Sequence, residues 1–198
     1  MDENFRVEVL ISAQEIDARV RKMAAEITAD YEGRDLVLIG ALQGCFIFMA
    51  DLARRIQLPR VYSDFVELSS YGDSRESSGT IELKKDVQRS ITDRHVLIVE
   101  DIIDTGRTLN FLYERLRKKN PASLKIAALL VKEGKHRLNQ TIDYAGFSIE
   151  DRFVIGYGMD FAGAYRNLDH IAVLEEAAAA SLPSTPSPPS SSPSSFHS

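Results

Sequence analysis

The segment from His95 to Leu109, HVLIVEDIIDTGRTL, constrains the fold more than any other part of the chain. Val96 to Val99 form an all-apolar run, which is typical of a strand buried on both faces and therefore of a parallel sheet covered by helices. The run ends in Glu100 and Asp101, and a turn from Thr105 to Thr108 then leads into a predicted helix. The segment predicts an α/β fold with an acidic loop at the carboxyl end of a central strand, where such sheets bind ligands.

The rest of the chain continues this alternation of strands and helices. A capping box from Ser12 to Glu15 begins a predicted helix that runs to about Asp30. Further strands are predicted at 36–39, 61–68, 81–85, 124–131, 142–147, 153–157 and 171–174, with helices at 46–56 and at about 108–119. We expect a mostly parallel sheet flanked by helices, in one domain that spans residues 1–178.

Composition changes sharply near Ser181. The segment SLPSTPSPPSSSPSSFHS holds five of the seven prolines and no acidic or basic side chain except His197. It has too little apolar surface to offset the entropy of ordering, so residues 179–198 are predicted to be a disordered tail. The run from Glu175 to Ala180 is predicted to be a fraying helical exit, and a non-native origin of the tail is an alternative.

Charge and cysteine content exclude several classes of protein. The chain has 24 Lys and Arg residues and 29 Asp and Glu residues, which gives a formal charge of −5. This acidic balance argues against a nucleic-acid partner. A single cysteine, Cys45, excludes an internal disulfide and a multi-cysteine metal site, so the cytoplasm is the expected compartment. The acidic start does not resemble a signal peptide, and no apolar run reaches the ~20 residues of a membrane helix. We therefore expect no membrane partner.

The turn after the acidic pair favours a sugar phosphate as ligand. A Gly-containing turn that enters a helix presents free N–H groups to a phosphate, and Thr105 and Thr108 add hydroxyl donors. Glu100 and Asp101 can accept hydrogen bonds from a ribose diol, which leaves Asp104 for acid–base work. Alternatively, these carboxylates only cap the helix and solubilise a loop. Because Walker A and G-x-G-x-x-G motifs are absent, a different pentose-phosphate fold is needed.

The segment VLIVEDIIDTGRTL resembles the phosphoribosyl-pyrophosphate signature of type I phosphoribosyltransferases, in the form typical of hypoxanthine-guanine phosphoribosyltransferases. The resemblance covers roughly Val7 to Leu174. Segments that agree in order are LQGCF with MADL, SSYG, LVK, and FVIGYGMD followed by YRNL. The resemblance implies the type I phosphoribosyltransferase fold, with a small hood and a flexible flap.

The resemblance also implies roles for individual residues. Glu100 and Asp101 would hold the ribose hydroxyls, and Asp104 would be the acid/base at purine N7. The 5-phosphate would be bound by Thr105, Gly106, Arg107 and Thr108. The purine would be bound by Lys132 at its 6-oxo oxygen, by stacking on Phe153, by the Val154 backbone and near Asp160, and Asp160 would also bind Mg²⁺. Outside this context, Lys132 could be a solvated lysine, Phe153 a core aromatic and Asp160 a surface charge.

Pyrophosphate would be bound by the backbone at Gln43 and Gly44 and by Arg166, and Ser70 and Tyr71 would belong to the closing flap. Gln43 departs from the family, which often has Lys or Arg there, and its effect on pyrophosphate binding is left open. A cis peptide is expected between Leu42 and Gln43.

The function implied is purine salvage by a cytoplasmic, magnesium-dependent transferase. It would move the 5-phosphoribosyl group from phosphoribosyl pyrophosphate to N9 of hypoxanthine or guanine, giving IMP or GMP plus pyrophosphate. We expect a homo-oligomer, a dimer or a tetramer. The preference among hypoxanthine, guanine and xanthine is open. The alternatives are a regulator that keeps the phosphoribosyl pocket but binds RNA or DNA, and a transferase for adenine or a pyrimidine.

Overall fold

The computed structural model of the protein describes residues 5–70 and 81–176. The helices in this part are α1 (Ala13–Asp30), α2 (Phe46–Arg55) and α3 (Arg107–Arg117). The strands are β1 (Phe5–Ile11), β2 (Leu36–Leu42), β3 (Val61–Ser70), β4 (Ile81–Lys85), β5 (His95–Ile103), β6 (Ser123–Lys132), β7 (Tyr144–Ile149), β8 (Val154–Ile155) and β9 (Ile171–Glu176). Apart from β1 and from element boundaries, these are the helices and strands that the sequence predicts.

A six-stranded sheet with the order β4-β3-β2-β5-β6-β7 forms the body of the protein. All neighbouring pairs are parallel except β3 and β4, which are antiparallel. In β2, Leu36 and Leu38 pack in the core under α1 and α2, whereas Val37 and Ile39 pack in the core under α3. The predicted mostly parallel sheet, covered by helices on both faces, is therefore confirmed.

A second sheet has three antiparallel strands in the order β1-β9-β8. It corresponds to the small hood that the resemblance implies. Strand β1 was not predicted from the sequence, although its residues alternate in polarity. It pairs with β9 from the far end of the described chain, with Phe5 opposite Glu176. No local sequence pattern around β1 predicts this pairing with β9.

Two boundary predictions are wrong. Glu100 and Asp101 lie within β5 rather than in a loop after it, because pairing with β6 continues as far as Ile103 opposite Val131. Glu175 belongs to β9, where it pairs with Arg6, and does not begin a helical exit.

The predicted tail at 179–198 and the flap residue Tyr71 lie outside the described residues. Ser70 is the last residue of β3. None of the helices in the described ranges is both long enough and apolar enough to cross a membrane.

Candidate active site

Residues from the carboxyl ends of β2, β5 and β6 meet the hood around a cavity of about 370 Å³. Parallel strands end at the same edge of a sheet, which places their following loops side by side. The cavity brings together most of the residues that the sequence singles out. It is lined by Gln43, Gly44, Asp101, Ile102, Asp104, Lys132, Phe153, Val154, Met159, Asp160 and Arg166.

A second cavity, of about 180 Å³, lies along the turn between β5 and α3, and residues 100 and 102–109 line it. Gly106 is the N-cap of α3, with φ of 79° and no side-chain capping bond. Glycine reaches this left-handed conformation without the steric cost that a Cβ would add. Gly106 offers no side chain to the first N–H groups of α3, and of these the N–H of Arg107 donates to Oγ1 of Thr105 at 3.5 Å. The positive end of the helix dipole favours an anion there.

The loop that follows β6 supports this turn. The backbone N–H of Arg137 donates a hydrogen bond to the carbonyl of Thr105 at 3.1 Å. The side chain of Leu138 would lie 2.7 Å from a Cβ on Gly106, so it fills the space beside the glycine. Sequence reasoning did not identify either supporting residue, because Arg137 acts through its backbone and Leu138 through an apolar side chain.

Glu100 and Asp101 face different cavities, because successive strand residues point to opposite faces. Glu100 lines the turn cavity and Asp101 lines the larger one. Burial, with the charge of Asp101 beside it, raises the pKa of Glu100 well above its usual range. Burial also raises the pKa of Asp101 to about 6, although backbone hydrogen bonds and Arg166 oppose the shift. The pair can therefore accept or donate hydrogen bonds to hydroxyl groups near neutral pH.

The loop after β2 is wedged between β5 and the hood. A Cβ on Gly44 would lie 1.8 Å from Oδ2 of Asp101. On the other side, a Cβ on Gly158 would lie 2.1 Å from the carbonyl oxygen of Gly44. The peptide between Leu42 and Gln43 is cis, as expected. Glycine at position 158 lets the two backbone segments approach each other, whereas glycine at position 44 leaves room for the carboxylate of Asp101.

Lys132 is the buried cation of the site, with only 8% of its surface exposed. Its ammonium group donates to Oδ1 of Asp151 at 2.9 Å and lies 3.7 Å from Oδ1 of Asp104. A second ammonium, that of Lys135, lies 3.0 Å from the same oxygen of Asp104 and 2.9 Å from Oδ1 of Asp151. Hydrogen bonds from the two lysines hold the pKa of Asp151 below its usual value.

Sequence reasoning missed Lys135 and Asp151. Their only signal is that each is a charged residue within three positions of a strand's carboxyl end. The burial of Lys132 contradicts the alternative of a solvated lysine.

The hood contributes an aromatic ring and a free strand edge. Phe153 is 52% exposed, which contradicts the alternative of a core aromatic. Its ring contacts that of Phe161 edge to face, with 5.8 Å between the ring centroids. Val154 lies in β8, an edge strand that pairs only with β9 among the described strands. The outer backbone groups of β8 can therefore bind a ligand that stacks on Phe153.

Asp160 and Arg166 form an ion pair of 2.7 Å on the hood side of the larger cavity. Asp160 also accepts a hydrogen bond from the backbone of Gly163 at 2.8 Å, and Arg166 donates to the carbonyl of Gly158 at 2.6 Å. These contacts fix both side chains in the turns that follow β8. Asp160 is therefore not the free surface charge that the sequence left as an alternative.

In the described residues, no group of three or more His, Cys, Asp or Glu side chains is placed to hold a metal ion. Mg²⁺, however, is usually bound by one or two carboxylates together with substrate phosphates and water. Asp160 fits this pattern, because its carboxylate lines the same cavity as Asp101, whose pKa is raised mainly by burial and also by the charge of Asp160. The donor set suits Mg²⁺ that arrives with a phosphorylated ligand.

Known proteins resemble this chain over most of its length. The model of the phosphoribosyl transferase domain matches residues 9–162. A hypoxanthine-guanine phosphoribosyltransferase of Bacillus subtilis is 43% identical over 169 residues, which cover 85% of this chain and 93% of that protein. The bifunctional protein TilS/HprT of Listeria innocua is 42% identical over 84% of this chain, which spans only 26% of that longer protein.

The fold of the chain is also that of a solved structure. A hypoxanthine-guanine phosphoribosyltransferase from Bacillus anthracis superimposes with a TM-score of 0.79 and 42% identity. The match covers 84% of this chain and 97% of the other.

Proposed function

The chain belongs to the phosphoribosyltransferase family, and we propose that it is a purine-salvage enzyme, a pentosyltransferase for 6-oxopurines. It transfers the 5-phosphoribosyl group from phosphoribosyl pyrophosphate to N9 of hypoxanthine or guanine, giving IMP or GMP and pyrophosphate. One observation carries the proposal. A single cavity joins Asp104, Lys132 and the exposed ring of Phe153, beside a helix N-terminus without a side-chain cap.

The sugar donor fits across the two cavities. Its 5-phosphate occupies the turn at 105–108, where N–H groups at the start of α3 and threonine hydroxyls supply donors. Its ribose hydroxyls lie between Glu100 and Asp101, whose raised pKa values limit the repulsion of a polyanionic ligand. The backbone of Gln43 and Gly44, with the guanidinium of Arg166, binds the pyrophosphate end.

The purine fits the hood side of the larger cavity. It stacks on Phe153, and the outer edge of β8 at Val154 meets its Watson–Crick edge. Lys132 donates to the 6-oxo oxygen. Because an ammonium group has donors and no acceptor, it cannot accept a hydrogen bond from the exocyclic amine of adenine. A regulator that only bound the phosphoribosyl group would have no use for this buried lysine.

Asp104 acts as the general base for the proton on purine N7. As the bond from sugar C1 to pyrophosphate breaks and the bond from C1 to N9 forms, the carboxylate of Asp104 accepts the proton that leaves N7. The reacting sugar carries positive charge, and a closed site protects it from water. Asp160 would hold Mg²⁺ together with pyrophosphate oxygens, and bound Mg²⁺ would neutralise charge on that leaving group.

Initial rates with hypoxanthine, guanine, xanthine and adenine, at fixed phosphoribosyl pyrophosphate and Mg²⁺, test the substrate class. We expect turnover with 6-oxopurines and little with adenine. Asp104→Asn should lower turnover by roughly 10²–10⁴ while the affinity for the donor is kept, which is the usual contribution of a positioned acid/base. Asp17→Asn, at a similarly exposed and ion-paired carboxylate outside the site, is the matched control. Equal use of adenine, or Asp104→Asn activity within a few-fold of wild type, would contradict the proposal.

We also propose that the enzyme requires Mg²⁺ and acts in the cytoplasm. The carboxylate of Asp160 in the cavity supports the first point, and the single cysteine agrees with the second. A homo-oligomer, dimer or tetramer, stays a prediction, which sedimentation of the purified protein checks.

A further inference from the structure

Four side chains beside the larger cavity form a closed ring of alternating charge. Around the ring, Asp104 and Lys132 are 3.7 Å apart, Lys132 and Asp151 2.9 Å, Asp151 and Lys135 2.9 Å, and Lys135 and Asp104 3.0 Å. Two ammonium groups thus alternate with two carboxylates, and the ring is neutral. Only Asp104 and Lys132 have a role in the proposed function, so Lys135 and Asp151 need an explanation.

The strand ends place the ring rigidly. Asp104 directly follows β5, Lys132 ends β6 and Asp151 follows β7, and these three strands are parallel neighbours in the sheet. Lys135 lies in the loop after β6. This loop is tied at one end by the bond from the N–H of Glu133 to the carbonyl of Ile149. At its other end, the bond from Arg137 to Thr105 holds the loop over the turn that follows Asp104.

The two oxygens of Asp104 are in different surroundings. Both ammonium groups lie nearest to Oδ1, which is buried, and the ammonium of Lys135 is within hydrogen-bond distance of it at 3.0 Å. The side chain as a whole is 46% exposed, so its exposure belongs to atoms other than Oδ1. The ion pairs therefore hold Oδ1 inside the ring, and Oδ2 is the oxygen that remains for a ligand in the cavity that Asp104 lines.

We propose that Lys135 and Asp151 are positioning residues for the reaction, an inference that rests on the proposed function. Lys135 holds Oδ1 of Asp104 so that Oδ2 points at purine N7. Asp151 holds the ammonium of Lys132 so that one of its three N–H donors points at the 6-oxo oxygen. Reacting groups that are held in place before the substrate arrives do not have to reorganise during the reaction.

Removal of either residue changes the ring in a definite way. Without the charge of Lys135, two carboxylates compete for Lys132, and Asp104 loses its nearer cation. Without the charge of Asp151, Asp104 is the remaining carboxylate of the ring, and Lys132 can close the 3.7 Å gap to it and retreat from the purine. Loss of Lys135 should therefore act mainly on kcat, and loss of Asp151 mainly on the KM for the purine.

The test compares the steady-state kinetics of Lys135→Gln, Lys135→Arg and Asp151→Asn with those of wild type. Lys135→Gln should lower kcat with hypoxanthine about tenfold, the lower end of the effect of one charge-assisted hydrogen bond. Asp151→Asn should raise the KM for hypoxanthine by a similar factor. The KM for phosphoribosyl pyrophosphate should stay within about twofold in both. Lys135→Arg should recover most of kcat, because the cation is kept.

Lys119→Gln is the matched control. The Lys119 side chain is 35% exposed and pairs with Asp86 at 3.1 Å, whereas the Lys135 side chain is 36% exposed. This variant should retain wild-type kinetics. Double-mutant analysis of Lys135→Gln with Asp151→Asn should show effects that are not multiplicative, because both residues act on one ring.

Two results would overturn the inference while the proposed function stands: wild-type kinetics in both ring variants, or a lowered melting temperature with equal changes in both KM values. The first would make the ring a surface salt bridge without consequence, and the second would make it a structural contact. A wild-type protein that transfers no phosphoribosyl group to hypoxanthine would instead refute the proposed function, and the inference with it.

Discussion

Replacement of Gly44 by alanine should damage the site without damaging the fold. The new Cβ would lie 1.8 Å from Oδ2 of Asp101 and 2.6 Å from its Cγ. Real Cβ contacts are essentially never shorter than 3.0 Å, so the carboxylate has to retreat by about 1.2 Å. The clash is with the end of a side chain rather than with backbone, and the side chain can rotate away.

The expected magnitude follows from this displacement. A misplacement of about 1 Å in a site can cost up to ~10²-fold in rate, so we expect kcat/KM for phosphoribosyl pyrophosphate to fall ~10- to 100-fold. Gly44 is not among the glycines with a left-handed φ. Alanine therefore reduces the entropy of the unfolded chain by about 0.4–1 kcal/mol, which offsets part of the cost of moving Asp101. The free energy of unfolding should change by less than about 1 kcal/mol.

Initial rates at varied donor concentration, with urea denaturation of the same preparations, measure both effects. Gly33→Ala is the control, because Gly33 has φ of 71° and no atom within 4 Å of its missing Cβ. This variant should lose about 1–2 kcal/mol of stability through backbone strain and keep wild-type kinetics. If Gly44→Ala keeps kcat/KM within threefold, the observed position of Asp101 does not matter for donor binding. If it unfolds as easily as Gly33→Ala, the defect lies in the fold.

Three further predictions concern single side chains of the site. Lys132→Ala should raise the KM for hypoxanthine about 10- to 100-fold in initial-rate assays, because one charge-assisted hydrogen bond of ~1.5–3 kcal/mol is lost. The KM for phosphoribosyl pyrophosphate should change much less. Equal changes in both KM values would place Lys132 elsewhere. Burial raises the folded-state pKa of Asp101 to about 6 from an ordinary 3.8, so the folded protein holds this proton more tightly than the unfolded chain does. The contribution of Asp101 to stability should therefore fall as pH rises from about 4 to 6. Asp101→Asn should remove this loss and be more stable above pH 6 by up to about 3 kcal/mol in urea denaturation, whereas a difference independent of pH would contradict the assignment. Gln43→Lys should tighten inhibition by pyrophosphate by about 1 kcal/mol at low salt, and an inhibition constant unchanged at every salt concentration would show that only the backbone matters there.

The segment around β5 and α3 could be predicted from sequence because its information is local. The apolar run after His95 indicates a doubly buried strand, and Gly106 supplies the left-handed N-cap that opens α3 to an anion. Lys132, Phe153 and Asp160 were identified in a different way, through the order of several motifs along the chain. The residues next to each of them in the chain would have indicated only an ordinary charged or aromatic residue.

What the sequence did not decide depends on which strands become neighbours. Strand β1 forms only because β9 returns beside it, and Glu100 and Asp101 belong to β5 because β6 continues to pair there. Because both residues lie in a paired strand, their two carboxylates point into different cavities. Successive side chains of a strand point to opposite faces of the sheet, so the strand decides which face each carboxylate is on. The local motif shows only that the two acidic residues are adjacent.

The ring of Asp104, Lys132, Asp151 and Lys135 is the clearest product of tertiary structure. The sequence supplies the right charges, but Asp104 and Asp151 are far apart along the chain. They come within reach of the same two lysines because β5, β6 and β7 lie side by side in parallel and end at one edge of the sheet. Ion pairs act over only a few ångströms, so their partners are decided by strand register, which no local segment of the sequence specifies.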